Sequence, residues 1–153
     1  MIGAMAEALS DLARRLVDSK AFAILATTNP DGAPQTSVIW VTRDGGDLIF
    51  STIRGRRKTR NMERDPRVSV CIYDPADPYL YTEIRGTVSM VEEGGRELIN
   101  SLSLTYDGVP FRIEPPEVTR LVCRVNATRI IDHDATPAKK VQAQPVAGST
   151  PSS

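Results

Sequence analysis

Closely spaced turn signals constrain this chain more than any other feature. Asn29-Pro30-Asp31-Gly32, Asp44-Gly45-Gly46, Asp65-Pro66 and the stretch from Asp74-Pro75 to Asp77-Pro78 punctuate the first half of the sequence. Proline fixes φ and glycine admits φ > 0, so each of these stretches favours a chain reversal. The segments between them are short and apolar, and several alternate with period two. They predict strands over residues 21–28, 35–43, 47–52, Val68 to Tyr73 and 79–91, with Val118 to Ile131 as a final strand pair or one bent strand. Gly86 lies inside the longest of these runs and marks a bulge or bend point.

Helical signals are few. Met5, Leu9, Leu12 and Leu16, with Ala13 and Val17 beside them, form one apolar stripe at helical spacing. Residues 56–64 are polar and helical in character and stop before Pro66, and residues 92–106 read as a third helix. The expectation is a mainly β protein: an antiparallel barrel of six or seven strands with flanking helices, over residues 1–134. From Ala135 to Ser153 the composition is Pro, Ala, Ser, Gln and Lys without periodicity, which predicts a flexible tail. Strand faces such as Val38 to Val41 are apolar on both sides, so a second copy of the chain is expected to cover the outer one.

Several chemistries are excluded by residues that are missing. The chain has one histidine, His133, set between two aspartates, which is expected to be a solvated polar residue and not a catalytic base. No Cys/His cluster has zinc spacing, and none of the ten glycines forms a dinucleotide or nucleotide phosphate loop. Cys71 and Cys123 sit in separate apolar runs and read as buried, reduced thiols. No apolar run is long enough for a membrane span, and Glu7 and Asp11 interrupt any secretory pattern at the start, so the expected location is the cytoplasm. Basic and acidic residues balance at 19 each, which argues against a surface built for nucleic acid.

Within that neutral chain, residues 54–67 hold seven basic and two acidic side chains, a local charge of +5. Clustered cations repel one another, and those at the start of a helix also oppose its dipole unless an anion is present. The predicted helix begins near Arg56-Arg57, directly after the strand that ends near Ser51-Thr52. Free backbone N–H groups at such a junction, with Arg56 and Lys58 beside them, make a phosphate site; a solvated basic helix face and a nucleic-acid contact are the alternatives for the same run. Thr52 and Thr59 offer further hydroxyl donors.

Arg56-x-Lys58-Thr59-Arg60-Asn61, followed by Asp65-Pro66-Arg67 and an apolar strand, resembles the pyridoxamine 5′-phosphate oxidase-like split-barrel flavoproteins. The turn Asp31-Gly32-x-Pro34-Gln35, the strand starting Thr36-Ser37, and Glu83-x-x-Gly86-Thr87 fit the same pattern, and the similarity runs over roughly residues 8–131. It is nearest to the deazaflavin branch, which uses coenzyme F420. True pyridoxamine phosphate oxidases carry a C-terminal Arg- and Trp-containing segment; here Arg129-Ile130-Ile131-Asp132-His133 leads into the tail without one.

The resemblance implies a split β-barrel homodimer with two cofactor sites in the subunit interface. It implies that Arg56 and Lys58 hold the cofactor phosphate, with Thr59 and Asn61 in the helix turn beneath it. Ser51, Thr52 and Ile53 would run beside the ring system and ribityl chain, and Ser37, Ile39 and Trp40 would form the floor of the ring pocket. Tyr81 would reach the cofactor from the neighbouring subunit. The implied activity is hydride transfer from reduced F420 to an unsaturated or conjugated organic acceptor, with the proton from Tyr81, Tyr79 or solvent. Cationic Arg54 and Arg57 are placed to attract the acidic tail of the cofactor. Two alternatives remain open from sequence: an FMN-dependent oxidase or reductase on the same scaffold, and a non-enzymatic protein that stores a flavin or tetrapyrrole.

Overall fold

The structure is a computed structural model, and residues 6–134 are described. Met5 and the segment 135–153 lie outside the described residues. The elements in chain order are α1 (Asp11–Asp18), β1 (Ala23–Thr28), β2 (Pro34–Ile39), β3 (Thr42–Asp44), β4 (Asp47–Ile53), α2 (Arg57–Arg64), β5 (Arg67–Asp74), β6 (Asp77–Val91), α3 (Gly95–Tyr106) and β7 (Arg120–Asp134). The seven strands form one sheet in the order β2-β1-β5-β6-β7-β4-β3, and every neighbouring pair is antiparallel. The two edge strands, β2 and β3, are consecutive in the chain with only Trp40 and Val41 between them. The sheet must therefore curl until its ends meet, which makes a barrel split along one seam that carries no strand ladder.

Period-two alternation fills the interior. Leu25 on β1, Val70 and Ile72 on β5, Ile84 on β6, Leu48 and Phe50 on β4, and Cys123 and Val125 on β7 are each fully buried. Ala13, Leu16 and Val17 of α1 and Met62 of α2 join the same cluster. Burying so many large apolar side chains, at roughly 1.5–3 kcal/mol each, is the main stabilising contribution to the barrel. The outer face of β1 and β2 is different: Val38 is 66% exposed and Phe22 47% exposed. Among the described residues no helix is long and apolar enough to cross a membrane.

Several boundaries differ from the sequence reading, each for a physical reason. The first helix begins later than its apolar stripe, because the Ser10 hydroxyl accepts the Ala13 N–H and caps it there. The third helix starts at Gly95, after Gly94 at φ 81°, and not at residue 92. The run 35–43 is two strands and not one. After Ile39 the chain leaves the β1 edge and crosses to the β4 edge. At the crossing the Val41 N–H donates to the Tyr106 hydroxyl, which itself donates to the Ala21 carbonyl at 2.8 Å. Tyr106 thus bridges the seam from the end of α3, with Trp40 stacked on its ring at 5.4 Å. The final apolar run forms one long strand, β7, which starts at Arg120 and runs on to Asp134, paired with both β6 and β4. Gly86 sits where the β6–β7 register shifts, and a Cβ there would overlap the Asn126 carbonyl, so the expected bulge depends on glycine. Cys123 is buried as expected, but Cys71 is only half-buried because it points to the outer face of β5.

Candidate functional site

The basic segment begins where β4 ends. Thr59, in the first turn of α2, donates its hydroxyl to the Ile53 carbonyl at 2.7 Å and lies 2.9 Å from the Thr52 hydroxyl. This pair pins the helix start against the strand end. Asn61 donates to Thr27 and to Asn29, each at 3.0 Å, and ties α2 to the end of β1. The hydroxyls of Thr52 and Thr59 and the Asn61 amide are therefore engaged inside the protein. Their part is to fix the backbone of the helix start.

That helix start has no acidic residue in its first turn and no side-chain cap, since its N-cap position is Arg56. Its free N–H groups and dipole leave a positive end. Lys58 is only 9% exposed, a rare degree of burial for lysine, and among the described residues its Nζ finds a single weak partner, the Ser37 hydroxyl at 3.4 Å. A buried ammonium without a carboxylate is costly unless an anion completes the site. Lys58 opens onto a cavity of about 230 Å³ bounded by Ile39, Trp40, Ser51, Arg56 and Arg120.

Arg120, the first residue of β7, is held by a buried bidentate pair. Its Nε and Nη2 donate to the two Glu114 oxygens at 3.0 and 2.8 Å. Its remaining Nη1 is 3.5 Å from the Ser51 hydroxyl. Four cations (Arg56, Lys58, Arg112 and Arg120) line the cavity, and one carboxylate, Glu114, offsets them. With all of them ionised, the net charge around the cavity is +3. Burial, and then the neighbouring Arg56 and Arg120, hold the Lys58 ammonium below the ordinary lysine value of 10.5, while the Arg120 guanidinium pulls Glu114 down.

A pH dependence with two opposite signs follows. In the free protein the unfolded chain binds the Lys58 proton more tightly than the folded one. Stability therefore rises with pH between the lowered Lys58 value and 10.5. Anion binding uses the charged form, so affinity is expected to fall as pH climbs through the lowered Lys58 value, before an ordinary lysine would titrate. Phosphate affinity and melting temperature measured along an alkaline series check both slopes.

The structure gathers five of the expected residues, Ile39, Trp40, Ser51, Arg56 and Lys58, around one cavity, with Ser37 touching Lys58. Ile53 contributes its carbonyl to the helix anchor. Tyr81 is not brought to this cavity within the chain: it stacks on His133 at 4.5 Å between ring centres, and His133 is exposed as expected. Arg54 is paired with Glu92 at 3.0 Å, whereas Arg57 is exposed. The sequence reading missed Ile99, Phe111, Arg112, Glu114 and Arg120. Their only signal is a charge triplet in a loop and a strand start, which reads like any solvated stretch until the fold brings it to Lys58.

A larger cavity of about 670 Å³ lies elsewhere, between the Asp31-Gly32 turn and the β5–β6 surface. Its two arginines are already neutralised, Arg67 by Asp65 and Arg85 by Glu83. It offers no uncompensated charge, so the smaller cavity is the site of interest.

Known proteins share the fold of this chain. The family model described as pyridoxamine 5′-phosphate oxidase matches residues 9–134. A solved structure described as an F420 reductase is 32% identical, with a TM-score of 0.70; the match covers 77% of this chain and 94% of that one. A conserved hypothetical protein from Mycobacterium tuberculosis is 24% identical, with a TM-score of 0.69, over 98% of this chain and 99% of that one. General Stress Protein 26 from Bacillus anthracis is 21% identical, with a TM-score of 0.62, over 78% and 88%. The last two share the fold. A split barrel with seven antiparallel strands, a cationic helix start at the end of β4 and a family match over nearly all the described residues lead to one assignment: the chain belongs to the pyridoxamine 5′-phosphate oxidase family.

Proposed function

We propose that this protein is an F420-dependent oxidoreductase that reduces an unsaturated or conjugated organic acceptor. The observation that carries the reading is Lys58, buried at a helix N-terminus with no carboxylate partner among the described residues and open to a cavity with a charge excess of +3. That environment fits a phosphate-bearing cofactor. The F420 reductase at 32% identity supports the deazaflavin over FMN.

Arg56 and Lys58, with the α2 N–H groups, hold the phosphate. Ser51 and the Ile53 backbone flank the chain that leads from it, and Ser37, Ile39 and Trp40 bound the ring side. Trp40 is held by its stack on Tyr106, so that wall is rigid. Thr52, Thr59 and Asn61 keep the helix start in place. When bound, the reduced deazaflavin supplies the hydride, and the protein supplies orientation and exclusion of water. Nothing in this division of labour needs a catalytic triad.

The active form is a homodimer. The exposed apolar side chains Val38, Ile24 and Phe22 on the outer sheet face are the surface a second copy covers, and Tyr81 serves the partner's site. Light scattering is expected to give twice the chain mass, and a monomer would contradict the shared site. Two free thiols suit a reducing cytoplasm.

A paired calorimetric titration tests the cofactor. F420 is expected to bind and FMN to bind more weakly. Binding of FMN without binding of F420 would replace the proposal with a flavin enzyme, and tight F420 binding with no turnover over a panel of enones and quinones would leave a carrier.

A further inference from the structure

We propose that Tyr106 is a positioning residue for the ring end of the cofactor: its hydroxyl joins the two walls of the Lys58 cavity across the barrel seam and so sets the width of the ring pocket. The inference rests on reading that cavity as the cofactor site, and it concerns a side chain that does not itself line it.

The cavity straddles the seam. On one side it is bounded by Val38, Ile39 and Trp40, at the end of β2 and in the crossing to β3. On the other side it is bounded by Ile99 of α3 and by Phe111 and Arg112 in the loop that follows. No strand ladder joins these sides, because β2 pairs only with β1 and β3 only with β4. Side chains must therefore fix their separation.

Tyr106, the last residue of α3, does this with one oxygen. Its hydroxyl accepts the Val41 N–H at 3.1 Å, and it lies 2.8 Å from the Ala21 carbonyl and 3.2 Å from the Val41 carbonyl. Ala21 and Val41 are each 2% exposed, so their backbone groups must find partners inside the protein. Burial holds the phenol above the ordinary tyrosine value of 10, so it remains a donor at neutral pH. The ring adds a second grip. Trp40 stacks on it at 5.4 Å with 13° between the planes, and Phe22 packs against it at 5.5 Å.

The other end of α3 is fixed independently. A Cβ on Gly95 would overlap the Arg120 carbonyl, so the helix start abuts β7. With that end seated, Tyr106 decides where the far end of α3 and its loop stand relative to Trp40. The phosphate end is anchored separately, since α2 is tied through Thr59 to Ile53 and through Asn61 to Thr27. The clasp therefore governs the ring pocket and leaves the anion position alone.

The test separates ring from phosphate. F420 and inorganic phosphate are titrated by calorimetry into the full chain and into Tyr106→Phe, Tyr106→Leu and Val70→Ala, below the lowest melting temperature of the set. Tyr106→Phe keeps the ring and its stacks and removes only the clasp, so it is expected to fold. It is expected to bind F420 roughly three- to tenfold more weakly, the scale of one lost hydrogen bond, and phosphate within about twofold of the parent. Tyr106→Leu, which also loses the stacks, is expected to weaken F420 further. Val70→Ala opens a cavity in the core away from the seam; it is expected to lower the melting temperature and leave both affinities unchanged.

A readout without ligand comes from Trp40, the one tryptophan of the chain. Acrylamide is expected to quench its fluorescence more in Tyr106→Phe than in the parent or in Val70→Ala. Unchanged F420 affinity in both Tyr106 variants overturns the proposal and leaves the cofactor site standing. Equal losses for F420 and phosphate, or unchanged Trp40 quenching, overturn it too, because Tyr106 then serves the fold alone. If the parent binds FMN in place of F420, the same series with FMN decides by the same criteria. Binding of neither cofactor to the parent removes the underlying reading, and the proposal with it.

Discussion

Arg120→Ala is expected to destabilise the protein by about 3–5 kcal/mol, because it leaves the Glu114 carboxylate buried without its cation. Both side chains are nearly inaccessible, at 4% and 5% exposed, so solvent cannot replace the lost partner. The instructive comparison is the double variant Arg120→Met/Glu114→Leu. Replacing both members of a buried pair by apolar residues of similar size is often neutral or stabilising. The double variant is therefore expected to recover most of the stability lost in the single one, yet to bind the cofactor more weakly, since a cavity cation is gone. Chemical denaturation and titration on the same samples separate the two effects. If the double variant bound as well as the parent protein, Arg120 would be a structural residue only.

Lys58→Ala is expected to weaken cofactor binding by about 1.5–3 kcal/mol, or roughly 10- to 150-fold, the range for losing a charged hydrogen bond. Stability is expected to move little or to rise. The substitution removes a desolvated ammonium that repels Arg56 and Arg120, whose own charges remain to be neutralised by the anion. A loss of affinity without a loss of stability distinguishes a binding lysine from one kept for packing. Arg57→Ala is the control from the same segment: Arg57 is exposed and does not line the cavity, so its affinity change is expected to stay small. Isothermal titration that finds equal affinity for Lys58→Ala and the parent would remove Lys58 from the site.

These two experiments address residues of very different legibility. Lys58 stood out in the sequence because the cation excess of residues 54–67 is local, and helix-dipole arguments need only the neighbouring residues. Glu114 and Arg120 did not. They lie six positions apart across an irregular stretch, and nothing nearby signals that their pair is buried. The number of basic residues also overstated the site. Of the seven in residues 54–67, only Arg56 and Lys58 reach the cavity, while Arg54 is paired with Glu92, Arg67 with Asp65, and Arg64 donates to the Thr28 carbonyl.

What the sequence determined by itself was whatever depends on neighbours along the chain. The turns at Asn29–Gly32 and Asp44–Gly46, the alternating strands between them and the position of the cationic helix start all arise from local φ/ψ preference and periodicity. What only the tertiary structure decided depends on groups far apart. Tyr106, 65 residues from Val41, splits the expected second strand by taking the backbone N–H at the seam. The Thr52–Thr59 pair turns two prospective anion donors inward, because a buried hydroxyl must find its partner inside the protein. The far wall of the cavity forms where β7 starts beside the end of β4, bringing Arg120 against Ser51 across 69 residues. Local rules place the cation, and closure of the barrel supplies the chamber around it.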